Sequence, residues 1–206
     1  MDLDVEPVND SARTGHRWTN AAAGACALMI SVVSLWVAIT NGHTNKQLVA
    51  ATSWPFLQIA SGNADDQGNQ IINMEVKNAG VGPAKVETFE VFWGDKPMKN
   101  SSELLIACCS YHFPTGAADI EHPSLVLGTN QVSGNVIRAG DEIKMLSLPL
   151  RQDAAVVWHR LDAARFKIRF RICYCSVFDE CWSSDLASLA PTPVRACAVP
   201  ALAFQE

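Results

Sequence analysis

Between Trp18 and Asn45 this chain carries no formally charged residue, and within that window Ala21 to Ile39 (AAAGACALMISVVSLWVAI) is continuously apolar or small. As a helix, that run of about 19 residues extends roughly 28 Å, close to the hydrocarbon thickness of a bilayer. Three structures can use such a run. A buried helix of a soluble domain keeps one polar face, and this run has none. A cleaved signal peptide has a shorter apolar core of about 7–15 residues followed by a small-residue cleavage site, and no convincing A-x-A follows Ile39 to end the apolar run. A signal anchor, a transmembrane helix over residues 21–40, fits best. Leu28 to Ile39 supplies most of its insertion energy, because the earlier part is alanine-rich.

The anchor sorts the rest of the chain. Residues 1–20 form a polar tail, 41–52 (NGHTNKQLVAAT) a connector able to prolong the helix, 53–190 a folded domain, and 191–206 a C-terminal tail. Arg13 and Arg17 precede the span and Lys46 follows it, so the count of flanking cations, two against one, puts the N-terminus in the cytoplasm. The expected location is the inner (cytoplasmic) membrane, with the folded domain on the periplasmic side. Trp18 and Trp36 suit the two headgroup regions. Small residues recur four apart at Ala23, Ala27 and Ser31, with Ser34 and Ala38 on a second row, and such rows let two helices approach closely.

Composition excludes several classes. Hydrophobic residues make up 49% and charged residues 18%, so the chain is not disordered. With a formal net charge of −5 there is no electrostatic drive toward nucleic-acid phosphates. The expected partners are the membrane and a protein, another copy included.

Period-two alternation dominates after residue 53. Trp54 to Ala60 reads as a strand with Pro55 near its start, and Ser61 to Gln70 as a turn. In Ile71 to Lys77, Ile72, Met74 and Val76 face one way and Asn73, Glu75 and Lys77 the other, as in an antiparallel sheet with one wet face. After the turn Asn78–Pro83, a strand over Ala84–Trp93 changes phase near Thr88, which predicts a bulge. Gly94 to Pro97 is a turn. Asn100 with Glu103 forms a capping box for a short helix. Tyr111 to Asn130 is a long loop. Gln131 to Leu150 holds two strands split by Arg138–Asp141, and Asp153 is placed to cap a helix that presents Ala154, Val157, Trp158 and Leu161 on one face. In Arg165 to Val177, Phe166, Ile168, Phe170, Ile172 and Tyr174 share one face, and Lys167, Arg169, Arg171, Cys173 and Cys175 the other. Cys181 to Leu186 is its hairpin partner, and the proline-rich tail is expected to be extended and loose. About seven strands with one or two short helices make a mainly β protein: a transmembrane helix followed by an antiparallel immunoglobulin-like β-sandwich.

The run Met74–Trp93 (MEVKNAGVGPAKVETFEVFW) resembles the strand–turn–strand of immunoglobulin-like adhesion and cell-surface modules, with N-x-G-x-x-x-A between the strands. Asn78 and Gly80 suit turn or left-handed backbone there. An anchor followed by S-W-P (Ser53–Pro55), N-x-G-x-G-P-A (Asn78–Ala84) and Y-C-S-V-x-x-x-C-W (Tyr174–Trp182) is similar to uncharacterised single-pass membrane proteins of bacteria. The resemblance spans about residues 20–186 and implies a fold and a location, not an activity.

Chemistry-bearing residues are few. Cys26 lies in the span. The other six cysteines are Cys108, Cys109, Cys173, Cys175, Cys181 and Cys197, an even number that outside the cytoplasm points to disulfides. A bridge between adjacent cysteines is strained, so Cys108 and Cys109 are each expected to seek another partner, with Cys173 and Cys175 within reach if their helix covers that face. Cys175 with Cys181 across the hairpin is the local alternative. A zinc site of Cys108, Cys109, His112, Cys173, Cys175 and Cys181 is the rival, though no C-x-x-C occurs. No nucleophile elbow, Walker loop, dinucleotide fingerprint or H-E-x-x-H is present. His112 and His122 share the long loop with Asp119 and Glu121, where a hydrolytic or metal site is conceivable but solvated loop residues are commoner. Asp65 and Asp66 are too few for calcium. Lys167, Arg169 and Arg171 read as a wet sheet face paired with glutamates. The first expectation is therefore a membrane-anchored, non-enzymatic interaction module of the bacterial envelope with no cofactor. A sensor or effector acting through helix association is the second, and a loop-based hydrolase or metal enzyme the third.

Overall fold

In a computed structural model, residues 12–112 and 125–206 are described. The chain divides into two compact units, Met1–Ala51 and Thr52–Glu206. Among the described residues of the first stands one helix, α1 (Ala12–Thr52), 41 residues long. It runs through the expected connector without a break. Within it Arg17–Gly42 is long and apolar enough to cross a membrane, with a mean hydropathy of 2.2. Leu28, Val32, Leu35, Trp36 and Ile39 all project outward and are exposed.

Among the described residues the second unit contains ten strands: β1 (Leu57–Ala64), β2 (Gln70–Asn78), β3 (Ala84–Trp93), β4 (Lys96–Met98), β5 (Gly128–Thr129), β6 (Val136–Ile137), β7 (Glu142–Pro149), β8 (Ile168–Cys175), β9 (Cys181–Ser184) and β10 (Thr192–Val194). Two helices interrupt them, α2 (Ser101–Cys109) and α3 (Ala155–Ala164). One antiparallel sheet has the order β1-β2-β7-β5; the other runs β10-β9-β8-β3-β4, with β6 also on β3. Because α1 is so long and two further helices are present, the chain is mixed α and β rather than mainly β.

The alternating residues account for this pairing. Ile72, Met74 and Val76 of β2 and Leu146 and Leu148 of β7 enter one hydrophobic cluster with Val86, Phe89 and Val91 of β3 and Phe170, Ile172 and Tyr174 of β8. The expected bulge lies in β3 between Val86 and Thr88, where the register to β8 shifts. It turns Phe89 inward, flush with the core.

Both short helices close the core. Asn100 Oδ1 accepts from the Glu103 N–H at 2.9 Å, and the Glu103 carboxylate accepts from the Lys99 N–H at 2.8 Å. Glu103 is thereby held below the usual carboxylate range, first by the Lys99 N–H and then by Lys96. On α3, Trp158 and Leu161 are buried, and Trp158 Nε1 donates to the Leu148 carbonyl at 3.1 Å. Asp153 does not cap α3. It lies in a 3-10 turn, Gln152–Ala154, and its carboxylate is taken by Arg151.

Two other expectations are corrected. Arg165–Lys167 is a 3-10 turn, so β8 starts at Ile168 and Phe166 stands 76% exposed instead of joining the core. Its backbone follows Arg165, whose guanidinium is drawn to Asp162 and to the Ser61 carbonyl. The C-terminal tail is not loose. After β10 pairs with β9 the chain passes over β8, where Cys197 meets Cys173. It ends along β3, where the Phe204 N–H donates to the Phe89 carbonyl at 2.9 Å and the Gln205 N–H to the Lys99 carbonyl at 2.8 Å. Phe204 is buried edge-on to Phe89, and the Glu206 carboxylate accepts from the N–H and hydroxyl of Ser101 at the start of α2. Its apolar end fills the gap that β4 and β6 leave on β3, which is why residues 191–206 belong to the folded unit.

Candidate functional site

The three quoted motifs are parts of two joints. At the first, Asn78 is wholly buried and its side chain uses all of its hydrogen-bonding capacity. Oδ1 accepts from the N–H groups of Phe56 (3.2 Å) and Gly80 (3.0 Å); Nδ2 donates to the carbonyls of Gly82 (2.8 Å) and Ile137 (2.9 Å). Val81 N–H donates to the Trp54 carbonyl. The S-W-P and N-x-G-x-G-P-A segments therefore lie on one another. A Cβ on Gly80 would come within 2.4 Å of Phe56 N, and one on Gly82 within 2.0 Å of the Ser53 carbonyl oxygen. Close approach, not left-handed backbone, is what these glycines provide: among the described residues the positive-φ glycines are Gly68, Gly94, Gly134 and Gly140.

The second joint is the β8–β9 hairpin. Ser176 N–H donates to the Glu180 carbonyl, Phe178 N–H to Ser176 Oγ, and Asp179 takes φ 60°. Tyr174 packs against Trp182 with ring centroids 5.9 Å apart, and burial pushes its phenol up. On the opposite face of β8 lie Cys173 and Cys175, both buried yet outside the core cluster.

That outer face gathers the sulfurs. Cys175 and Cys181 stand at disulfide distance across the hairpin, with Cα atoms 4.0 Å apart, and Cys173 stands likewise with Cys197 at a Cα separation of 5.7 Å. The two pairs touch: Cys175 Sγ lies 4.0 Å from Cys197 Sγ, and the sulfurs of Cys175, Cys181 and Cys197 are all within 4.8 Å of one another. Cys108 and Cys109 are at disulfide distance from each other, not from Cys173 or Cys175. The reason is placement. The buried side of α2, Cys109 included, enters the core, so it cannot cover the outer face of β8; the C-terminal segment covers it instead. Cys197 was the hardest partner to anticipate, because its separation of 24 residues carries no periodic signal.

Further along the same face a groove of about 760 Å³ opens between β8 and residues 183–192, lined by Phe92, Phe166, Arg169, Arg171, Ser183 and Thr192 among others. Arg171 lies over the Phe92 ring at 5.2 Å and 3.6 Å from Glu90; Arg169 is 2.7 Å from Asp95 and also donates to the Gly94 carbonyl. The stripe is thus partly neutralised by its neighbours, and Lys167 lies in the turn outside it.

The remaining candidates do not converge. Ala23, Ala27 and Ser31 share a face of α1 and are exposed, with the Ser31 hydroxyl donating to the Ala27 carbonyl at 2.8 Å. Cys26 is a free, exposed thiol on the same helix. His112 is exposed, whereas Asp119, Glu121 and His122 lie outside the described residues. The Asp65 carboxylate caps its own turn, accepting from Gln67 and Asn69, and the Asn69 side chain above all holds it below the usual range. Among the described residues, the sulfur cluster is the only group of side chains spaced to share a metal ion. No family model matches this chain, and no curated protein matches it.

Proposed function

We propose that this chain is a single-pass membrane protein of the bacterial envelope whose folded domain, an immunoglobulin-like sandwich on the periplasmic side, is a non-enzymatic interaction module. The observation that carries the reading is the surface of α1. Its apolar side chains from Trp18 to Ile39 are exposed all around the helix, an arrangement that water penalises by about 25 cal/mol per Å² and lipid does not. The hydroxyls of Ser31 and Thr40 are turned back onto the helix, to the Ala27 carbonyl and to the Trp36 carbonyl at 3.0 Å, which satisfies them where no water is available. The pairing of six cysteines agrees with an oxidising compartment. The two antiparallel sheets sharing one core support the sandwich, and the open groove beside Phe166 offers a partner an aromatic and guanidinium surface of the kind enriched at interfaces.

Fusion of alkaline phosphatase or of green fluorescent protein after Glu206 tests the location. An active phosphatase and a dark fluorophore are expected, and the reverse would overturn it. The interaction is tested by placing a photo-crosslinking amino acid at Phe166 in intact cells. A discrete adduct, to another protein or to a second copy, is expected; cross-linking to nothing at this position and at Arg171 would reject the groove as the interface.

A further inference from the structure

The sulfur cluster contains two bonds whose atoms are in contact. Thiol–disulfide exchange needs a thiolate within reach of a sulfur of another disulfide. Cys175 Sγ is 4.0 Å from Cys197 Sγ, little more than a sulfur–sulfur van der Waals contact, and each belongs to a different pair. We propose that Cys173, Cys175, Cys181 and Cys197 form an exchange centre, in which the two disulfides interconvert through a Cys175–Cys197 bond once either has been opened by an external dithiol.

Cys197 is the most accessible of the four, the other three being buried. A thiolate of the dithiol attacks Cys197 Sγ; the Cys173–Cys197 bond breaks and Cys173 leaves with the electron pair and takes up a proton. The second thiol of the reagent then attacks its own sulfur, leaving as a cyclic disulfide and releasing the Cys197 thiolate. The dithiol has lost two electrons and the protein has gained them. The Cys197 thiolate next attacks Cys175 Sγ, the Cys175–Cys181 bond breaks, and Cys181 leaves with the pair and is protonated. This last step changes no oxidation level.

The consequence concerns the C-terminal segment. Cys197 precedes Phe204, which plugs the β3 edge, and Glu206, which accepts from Ser101. A simple disulfide would release this segment when Cys197 lost Cys173. With Cys175 beside it, Cys197 acquires a new partner on the same strand, so the segment stays tethered through a two-electron reduction and is freed only by a four-electron one.

The test uses the full chain in detergent. Cys181→Ser leaves the Cys175 thiol facing the Cys173–Cys197 bond, and exchange there needs no reductant: Cys175 attacks Cys197 and Cys173 becomes the free thiol. Iodoacetamide is expected to label both Cys173 and Cys175, and peptide mapping without reduction to recover both Cys175–Cys197 and Cys173–Cys197. Among the cysteines of the cluster, label on Cys175 alone, with Cys173–Cys197 as their single cross-link, would overturn the proposal; Cys26 is labelled in either case. Should the variant fail to fold, native protein treated with one equivalent of dithiothreitol and quenched by alkylation decides. A Cys175–Cys197 cross-link with alkylated Cys173 and Cys181 is expected. Among these four, alkylation confined to Cys173 with Cys197 or to Cys175 with Cys181, or a purified protein with all seven cysteines as thiols and stoichiometric zinc, would overturn it.

Discussion

Apolar residues do opposite things in the two units. In α1, Leu28, Val32 and Leu35 face outward and the backbone is satisfied entirely within the helix. In Thr52–Glu206, Leu57, Phe89 and Leu146 are fully buried, and the backbone is satisfied between strands distant in sequence. The same hydrophobicity therefore specifies an environment in one unit and a partner in the other. What separates them is periodicity: a run without a polar face asks for an apolar solvent, whereas alternation asks for a second sheet.

The largest effect should come from reversing that property in α1. Arginine at the centre of a membrane span costs about 3 kcal/mol per residue on the insertion scale, so Leu28→Arg with Val32→Arg removes about 6 kcal/mol from an already alanine-rich run. The double variant is expected in the soluble fraction after alkaline extraction while the native chain stays with the membrane. Native-like retention of the variant would break the comparison. In the folded unit, burial dominates. Phe204→Ala leaves a cavity beside Phe89 and should cost about 3–5 kcal/mol, read as a fall in the denaturant midpoint with an unchanged slope. A midpoint that did not move would mean that the C-terminal segment is not part of the core.

Asn78 sharpens the contrast, because it is polar and fully buried. Asn78→Ala strands two N–H groups and leaves two carbonyls with one partner fewer, and about 2–3 kcal/mol is the expected cost. That corresponds to a fall in Tm of about 4–12 °C for a unit of this size. One step lower, Asn100→Ala removes the acceptor from the Glu103 N–H and should cost about 1 kcal/mol. Helical content measured by circular dichroism should fall little, since α1 is untouched.

These residues also mark what was legible beforehand. The apolar run, the strands from β2 to β3, the bulge near Thr88 and the Asn100–Glu103 box rest on local signals, periodicity or a fixed spacing, and could be read from the chain alone. The joint at Asn78 is visible as a motif, but its turn chemistry does not explain its glycines: they are there because another segment, Ser53–Phe56, presses on them, and no local rule reports a neighbour so far along the chain. Cys197 and Phe204 lay in a stretch with three prolines and no period. The role of Phe204 depends on a gap on β3 that exists only once β4 and β6 are both in place, and that of Cys197 on β10 carrying the chain over the outer face of β8. The alternation that points Phe166 toward the core stops short of it, because Arg165 is held by Asp162 and Ser61 in the turn that precedes β8.

The smallest effect tests the wet face of the sheet that β2 and β7 form. Glu75 lies opposite Lys144, and Lys77 lies opposite Glu142. Burial first, and then the negative charge of Glu142, push the Glu75 carboxyl above its ordinary value of 4.5; Lys144 and Lys77 oppose this and are outweighed. A raised value means that the folded state holds the proton more tightly than the unfolded one. The resulting stabilisation is full below about pH 4.5 and is lost as the pH rises through the raised value, so at neutral pH the ionised group is a small liability. Glutamine has the same shape and never ionises. Glu75→Gln should therefore match the native chain near pH 4 and exceed it slightly at pH 7, by no more than a few tenths of a kcal/mol because the site is only partly buried and solvent screens it. Paired thermal melts at the two pH values measure the difference. A variant less stable than native at pH 7 would show that the pairing with Lys144 outweighs burial on this face, and that its polar residues hold the sheet together as well as wetting it.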